Sequence, residues 1–250
     1  MQRAIITGGS SGIGLALGHE LVRRGWSVAL LARRTDLLSE AVATLGNAVA
    51  VTCDVTDSGA VASAVRQAQA DIGGPFDLAV ANAGIGYPTH AAKFDAVAAA
   101  EVFRVNVIGM INLFGAVVPS MIERRSGRFA GVASLAGHRG LPTASAYSSS
   151  KAAMQAFLEA SRVELAPLGV GVTTVNPGFI VTAMTSKNRF RMPFLMKVDR
   201  AATIIADGLE RGKRVIEFPL PMSVMTRAMR HVPDAVYDLM MTRAGRIKKK

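Results

Sequence analysis

RAIITGGSSGIGLALGHELVRRG, residues 3–25, runs from a short apolar segment through a glycine-rich turn into an amphipathic one. RAIIT predicts a strand, and the spacing of Leu15, Leu17, Leu21 and Val22 predicts a helix closed by Gly25. Between them lies a turn of small residues, Gly8, Ser10, Ser11, Gly12, Ile13 and Gly14. Such a turn lets the backbone approach a pyrophosphate, while the helix start offers unpaired N–H groups and a partial positive charge. The glycines are spaced GxxxGxG rather than GxGxxG, and no lysine follows them, which excludes a nucleoside-triphosphate P-loop.

The following segments alternate in the same way. SVALLA ends at Ala32 and is followed by Arg33 and Arg34, with no acid before Asp36. At this place in a dinucleotide fold an acid holds the 2′-hydroxyl of NAD, whereas arginine accommodates the 2′-phosphate of NADP. NADP(H) is therefore expected over NAD(H). AVAVTCDV (48–55) and FDLAVA (76–81) predict further strands, the second running into Asn82, Ala83 and Gly84. Helical composition spans 94–123, interrupted by Asn106, Gly109 and Asn112. A buried asparagine in a helix marks a kink or a water site. RFAGVAS, a helix over about 144–166 and VGVTTVNPG complete six or seven strands alternating with helices. The expected fold is a Rossmann-type α/β architecture: a doubly wound parallel sheet with helices on both faces, as one domain over 1–250, plus a C-terminal helical extension.

SLAGHRGLPTASAYSSSK (134–151) places Tyr147 and Lys151 four residues apart, on one face of a helix. An ammonium near a phenol lowers its pKa from about 10, making the tyrosine a candidate general acid/base. Ser134, at the end of an apolar run, could hydrogen-bond the same substrate oxygen.

Half of the 250 residues are apolar, and the single cysteine, Cys53, excludes an internal disulfide and suits a reducing compartment. His19, His90, His138 and His231 show no metal-ligand spacing. A strand-like run beginning at Ala4 leaves no room for a signal peptide, and no uninterrupted apolar run reaches about 18 residues. A cytoplasmic location is expected. The net charge of +11 is uneven: residues 1–185 carry 14 Lys and Arg against 12 Asp and Glu, residues 186–250 carry 15 against 6.

Together, TGGSSGIG (7–14), ANAG (81–84), Asn106, Ser134, Tyr147 with Lys151, and NPGFIVT (176–182) resemble the motifs of the short-chain dehydrogenase/reductase family, in order over about residues 3–185. Ala81 replaces the first asparagine of the family's NNAG. The resemblance implies an oxidoreductase in which Tyr147 is the general acid/base and Lys151 lowers its pKa and holds the nicotinamide ribose. Ser134 would orient the substrate oxygen, and Asn106 would hold a relay water. Asp54 and Val55 would meet adenine, Asn82, Ala83 and Gly84 the adenosine side. Pro177, Gly178, Ile180 and Thr182 belong to the segment at the nicotinamide. It further implies a homodimer or homotetramer. A non-catalytic dinucleotide sensor or scaffold is the alternative on the same fold.

The last 65 residues depart from that pattern. GKRVIEFP suggests a final strand, after which two short helices split by Pro233 carry Met222, Met225, Met229 and Val232 on one face. Eight of the twelve methionines lie between 184 and 241, which suits a lipophilic carbonyl or alcohol substrate. A lid is expected over about 183–198. The basic tail, about 220–250, suits peripheral contact with an anionic membrane, packing on a partner subunit, or closure over the active site. Sparse aromatics and the lack of a recognition motif argue against nucleic acid as a partner.

Overall fold

A computed structural model describes residues 1–187 and 192–246. The chain alternates strand and helix: β1 (Arg3–Thr7), α1 (Gly12–Arg23), β2 (Ser27–Ala32), α2 (Thr35–Ala43), β3 (Ala48–Thr52), α3 (Ser58–Ile72), β4 (Leu78–Ala81), α4 (Ala96–Phe103), α5 (Gly109–Glu123), β5 (Arg128–Val132), α6 (Ser145–Leu165), β6 (Gly171–Pro177), α7 (Val198–Glu210), β7 (Val215–Phe218), α8 (Leu220–Arg230) and α9 (Asp234–Arg246). The strands form one parallel sheet in the order β3-β2-β1-β4-β5-β6-β7. Successive crossovers run one way from β1 and the other way from β4. That reversal opens a crevice outside the carboxyl ends of β1 and β4, where such sheets take their ligands.

Side chains on a strand alternate between faces, so each central strand feeds two cores. Ala4 and Ile6 of β1 pack with Leu17 and Leu21 of α1, Leu38 of α2 and Ile205 of α7. Ile5 points the other way, into Val61 and Val65 of α3, Leu113 of α5 and Leu158 of α6. Both layers are needed because β1 and β2 are apolar on both faces, Ala4–Ile6 and Val28–Leu31 being fully buried.

Local chemistry sets several boundaries. Asp57 caps α3 by accepting from Ala60 N–H at 2.9 Å, and Gly73 in the left-handed region ends it. Asp95 caps α4 through Val97 and Ala98 N–H. The predicted helix over 94–123 is present as α4 and α5, joined without a break by one π-helical turn, Arg104–Ile108. This helical run is apolar and long enough to cross a bilayer by composition, yet Val102, Leu113 and Val117 are buried in the body of the protein.

The expected strand RFAGVAS stops at Val132, short of Ser134, because Ser134 turns into a 3₁₀ segment, Leu135–Gly137, which its hydroxyl caps. Part of the expected lid, residues 188–191, lies outside the described residues. Its two ends pair, Val181 N–H bonding Met196 O at 2.9 Å and Met196 N–H bonding Phe179 O at 3.0 Å.

Candidate active site

The glycine turn has the shape that its sequence predicts. Gly8 and Gly12 adopt φ of +67° and +58°, a region L side chains avoid. A Cβ at Gly14 would run into the Gly8 carbonyl and the Asn82 amide. The turn is buttressed from β4: Asn82 Nδ2 donates to Thr7 O at 3.0 Å and Gly8 O at 3.3 Å. Thr7 Oγ1 receives the N–H groups of Asn82 and Ala83, both at 3.1 Å. Asn82 therefore shapes the cradle with its side chain, and Ala83 lies directly beneath Gly8. Ser11 stands at the N-terminus of α1 without spending its hydroxyl on a cap. Thr182 arches over Gly12, where a Cβ would meet its methyl at 3.4 Å. These residues make a close-approach, N–H-lined cradle that fits a dinucleotide pyrophosphate.

The basic pair splits around the cradle. Arg34 Nη2 reaches Ser11 Oγ at 3.5 Å, while Arg33 Nη1 lies 3.7 Å from Asp54 Oδ2. Arg34, one residue further from the strand than Arg33, is the one that reaches the glycine turn. Burial raises the Asp54 pKa, but the N–H and hydroxyl of Thr56 and the Arg33 guanidinium outweigh it and hold the carboxyl below its ordinary value. Val55 is buried, and its carbonyl accepts from Asn112 Nδ2 at 2.8 Å. That bond accounts for the odd asparagine in α5.

Ser134, Tyr147 and Lys151 converge at the ends of β5 and β6. Lys151 is 4% exposed; its Nζ donates to Val132 O at 2.8 Å and lies 5.8 Å from the centre of the Tyr147 ring. Burial pushes this lysine down to about 7. Tyr147 is raised by burial, which exceeds the lowering effect of the Ser134 hydroxyl. The expectation that Lys151 lowers the tyrosine is thus corrected for the ligand-free protein. A lysine desolvated this far is a weakened cation, and the lowering partner is Ser134.

Asn106 sits in the π turn, fully buried. Its Oδ1 accepts from Ile85 N–H at 2.8 Å, and its Nδ2 donates to Ile85 O and Ser150 Oγ, both at 3.0 Å. Both amide hydrogens are spent on clamping the 82–86 loop to α6. Gly84 closes against Asn106 and Lys151, and Gly86 against the Tyr147 ring, where a Cβ would lie 2.9 Å from Cδ2.

The segment after β6 divides. Pro177 O faces Ser134 Oγ at 3.4 Å. Ile180 is buried, and its carbonyl accepts from Thr185 Oγ1 at 2.6 Å. Gly178 instead faces the C-terminal helix, its N–H bonding Phe218 O at 2.8 Å and its α-carbon packed under Met222.

Four residues escaped the sequence reading: His138, Gln155, Asn176 and Glu217. They form a part-buried polar row behind Ser134, with Asn176 at its buried centre. A lone acid, Glu217, inside the basic segment 211–217 was the one signal available.

The tail folds as two helices, as expected, but its predicted methionine face does not dock as a unit. Met225 stays exposed, whereas Ser223 and Tyr237 are the buried contacts. Tyr237 hydroxyl donates to Gly140 O at 2.5 Å, and Arg139 stacks 4.0 Å over its ring while bonding Met229 O, Val232 O and Asp234. Polar contacts, more than methionine burial, choose the docked side.

Comparison with known proteins bears on the same site. The short chain dehydrogenase family model matches residues 2–192. An uncharacterised oxidoreductase of Myxococcus xanthus is 39% identical over 241 residues, covering 95% of each chain. A ketoacyl reductase, HetN, of Nostoc is 33% identical, covering 81% of this chain and 72% of its own. A solved short chain dehydrogenase/reductase from Burkholderia phymatum, in complex with NAD, superposes with a TM-score of 0.83 over 90% of this chain and 92% of its own, at 22% identity, which speaks for the fold alone. With a dinucleotide cradle, a Tyr–Ser–Lys cluster and these relatives, the chain belongs to the short-chain dehydrogenase family of NAD(P)-dependent oxidoreductases.

Proposed function

We propose that the protein interconverts a lipophilic carbonyl compound and its alcohol, uses NADP(H) in preference to NAD(H), and employs Tyr147 as general acid/base. The observation that carries this reading is the convergence of Ser134, Tyr147 and Lys151 beside the glycine cradle. The nicotinamide, when bound, supplies or takes the hydride. The remaining work belongs to the chain. Ser134 orients the substrate oxygen, and Tyr147 gives that oxygen its proton on reduction or removes it on oxidation. Lys151 holds the nicotinamide ribose, and Gly86 leaves room for the tyrosine ring.

Preference for NADP(H) is supported by Arg34 beside Ser11 and Arg33 on the neighbouring turn, with Asp54 already occupied by Thr56 and Arg33. A guanidinium pairs strongly with a phosphate. Lipophilicity is supported by the exposed Tyr87, Phe94, Leu141, Met184, Phe194 and Leu195. All six sit in connections that leave the carboxyl ends of β4, β5 and β6, the end where the site lies.

A homodimer or homotetramer is supported by apolar side chains left on the outside of α4, α5 and the π turn, Val97, Phe103, Ile108 and Ile111, with Val163 on α6. A cytoplasmic setting suits Cys53, whose thiol is buried and pushed up to about 11 by burial and by Asp54 and Asp57. The outward residues of the basic tail support reversible contact with an anionic membrane surface.

The deciding experiment follows NADPH and NADH consumption with a panel of ketones, aldehydes and 3-ketoacyl thioesters of rising chain length. Turnover should increase with chain length and favour NADPH. A protein that binds NADPH yet reduces nothing in the panel would sink the catalytic reading.

A further inference from the structure

A row of side chains ties the tail helix to Ser134. Gln155 Nε2, on α6, donates to Ser134 O at 2.8 Å and lies 3.0 Å from Asn176 Oδ1. Asn176, on β6, donates to Glu217 Oε1 at 2.9 Å. Glu217, on β7, receives Arg227 Nε at 2.8 Å and the Ser223 hydroxyl on its other oxygen, both from α8. His138 Nε2 lies 3.1 Å from the same carboxylate, within ion-pair distance though not aligned as a hydrogen bond. The row thus crosses the carboxyl ends of β5, β6 and β7 and holds the segment 134–138 at both of its ends.

A buried carboxylate is costly unless donors surround it. The Glu217 side chain is 7% exposed. Burial alone would raise its pKa, but His138, Ser223, Arg227 and Asn176 outweigh this and hold it well below the usual carboxylate range. Losing α8 would remove two of these donors, so the anion's satisfaction depends on the docked tail.

We propose that Glu217 is a positioning residue: docked by α8 through Arg227 and Ser223, it sets the orientation of Ser134 through Asn176 and Gln155, so the tail contributes to turnover without touching substrate. The link to turnover rests on the reading of Ser134 given above; the mechanical coupling does not. The Arg227 side chain is 60% exposed and bonds the Glu217 carboxylate, which makes it the cleanest probe.

The experiment compares Arg227→Ala, Gln155→Met and the double variant by amide hydrogen exchange without ligands, and by kinetics. Arg227→Ala should speed exchange across 134–138 by about 10-fold. It should lower kcat about 3- to 10-fold, with the KM for NADPH changed less than about 2-fold. Gln155→Met should lower kcat further, and the double variant should be no worse than Gln155→Met alone, because both cut one chain. Glu217→Gln, which keeps the shape and the Asn176 contact, should lose the charge-dependent hold of Arg227 and reproduce the Arg227→Ala exchange pattern. Unchanged exchange at 134–138 in a folded Arg227→Ala, or strictly additive effects in the double variant, would overturn the proposal. The exchange arm needs no substrate, so a failure of the oxidoreductase reading leaves it decisive.

Discussion

Lys151 Nζ lies 5.8 Å from the centre of the Tyr147 ring and donates to the Val132 carbonyl at 2.8 Å. No carboxylate is paired with it among the described residues. Such a lysine is buried against its own solvation, and stability should reflect that conflict.

The sign follows from its protonation in the two states. Its ordinary value is 10.5, and in the folded protein burial brings it to about 7. Below about 7 both states bind the proton, and folding bears the full cost of burying the charge. Between about 7 and 10.5 the unfolded chain keeps a proton that the folded one has released, so this group's penalty shrinks as pH rises. Lys151→Met should therefore stabilise the ligand-free protein by on the order of a few kcal/mol at pH 6, with the gain fading towards pH 10. Activity should be lost at every pH. Urea melts of both proteins across that range check it; a destabilised Lys151→Met at pH 6 would contradict the stated cause.

Tyr147→Phe removes the hydroxyl and leaves the ring against Gly86. Reduction should fall by about 10²- to 10⁴-fold, the contribution of a positioned proton donor. NADPH binding, followed by cofactor fluorescence, should change little. A variant reducing carbonyls at the parent rate would remove Tyr147 from the chemistry.

Arg34 and Arg33 should separate by partner. Arg34→Ala, which removes the guanidinium next to Ser11, should weaken NADPH about 10-fold or more while leaving NADH within about 2-fold. Arg33→Ala should cost less for NADPH, because that side chain is shared with Asp54. Titrations of both cofactors against both variants measure this. Equal losses for NADPH and NADH would mean that the arginines do not read the 2′-phosphate.

Assembly should respond to the outer face of the α4–α5 run. Val97 is 80% exposed on it, so Val97→Lys should not harm the monomer fold, while a subunit interface there would be weakened by a charge at its apolar surface. Light scattering should show the parent as a dimer or larger and the variant shifted towards monomer. A monomeric parent at micromolar concentration would dismiss the interface.

What could be read from the sequence was what the chain states locally. Gly8 and Gly12 are needed by their own backbone angles, and Tyr147 and Lys151 meet because a helix brings positions four apart together. The parallel sheet with helices on both faces also follows from alternation and connection rules. The row from Gln155 through Asn176 to Glu217 joins three elements far apart in the chain, and a polar residue destined for burial looks the same in sequence as a solvated one. Asn106 shows the intermediate case. Its oddity within a helix was visible, but its clamp on Ile85 depends on a loop 21 residues away and on a π turn. The direction of the Lys151 and Tyr147 shifts was missed because spacing reports proximity, while burial, the larger effect here, belongs to the folded body.

The tail gives the last test. Leu220 and Val224, one helical turn apart on α8, are 72% and 59% exposed, and Met225 of the expected methionine stripe is exposed beside them. On α9, Val236, Leu239 and Met240 are exposed as well. Around them stand Arg230 and Arg243, and the chain continues into Lys248, Lys249 and Lys250, outside the described residues. Each cation near an anionic bilayer contributes about 1 kcal/mol, and shallow insertion of a few apolar side chains adds to it. Vesicles containing anionic lipid should pellet the protein at low salt, neutral vesicles should not, and high salt should release it. Leu220→Ser with Val224→Ser should weaken pelleting without changing turnover of a soluble substrate, since neither side chain holds the Glu217 carboxylate. Equal pelleting with neutral and anionic vesicles would exclude charge as the attractant. No pelleting at low salt would remove the membrane from the account of the tail.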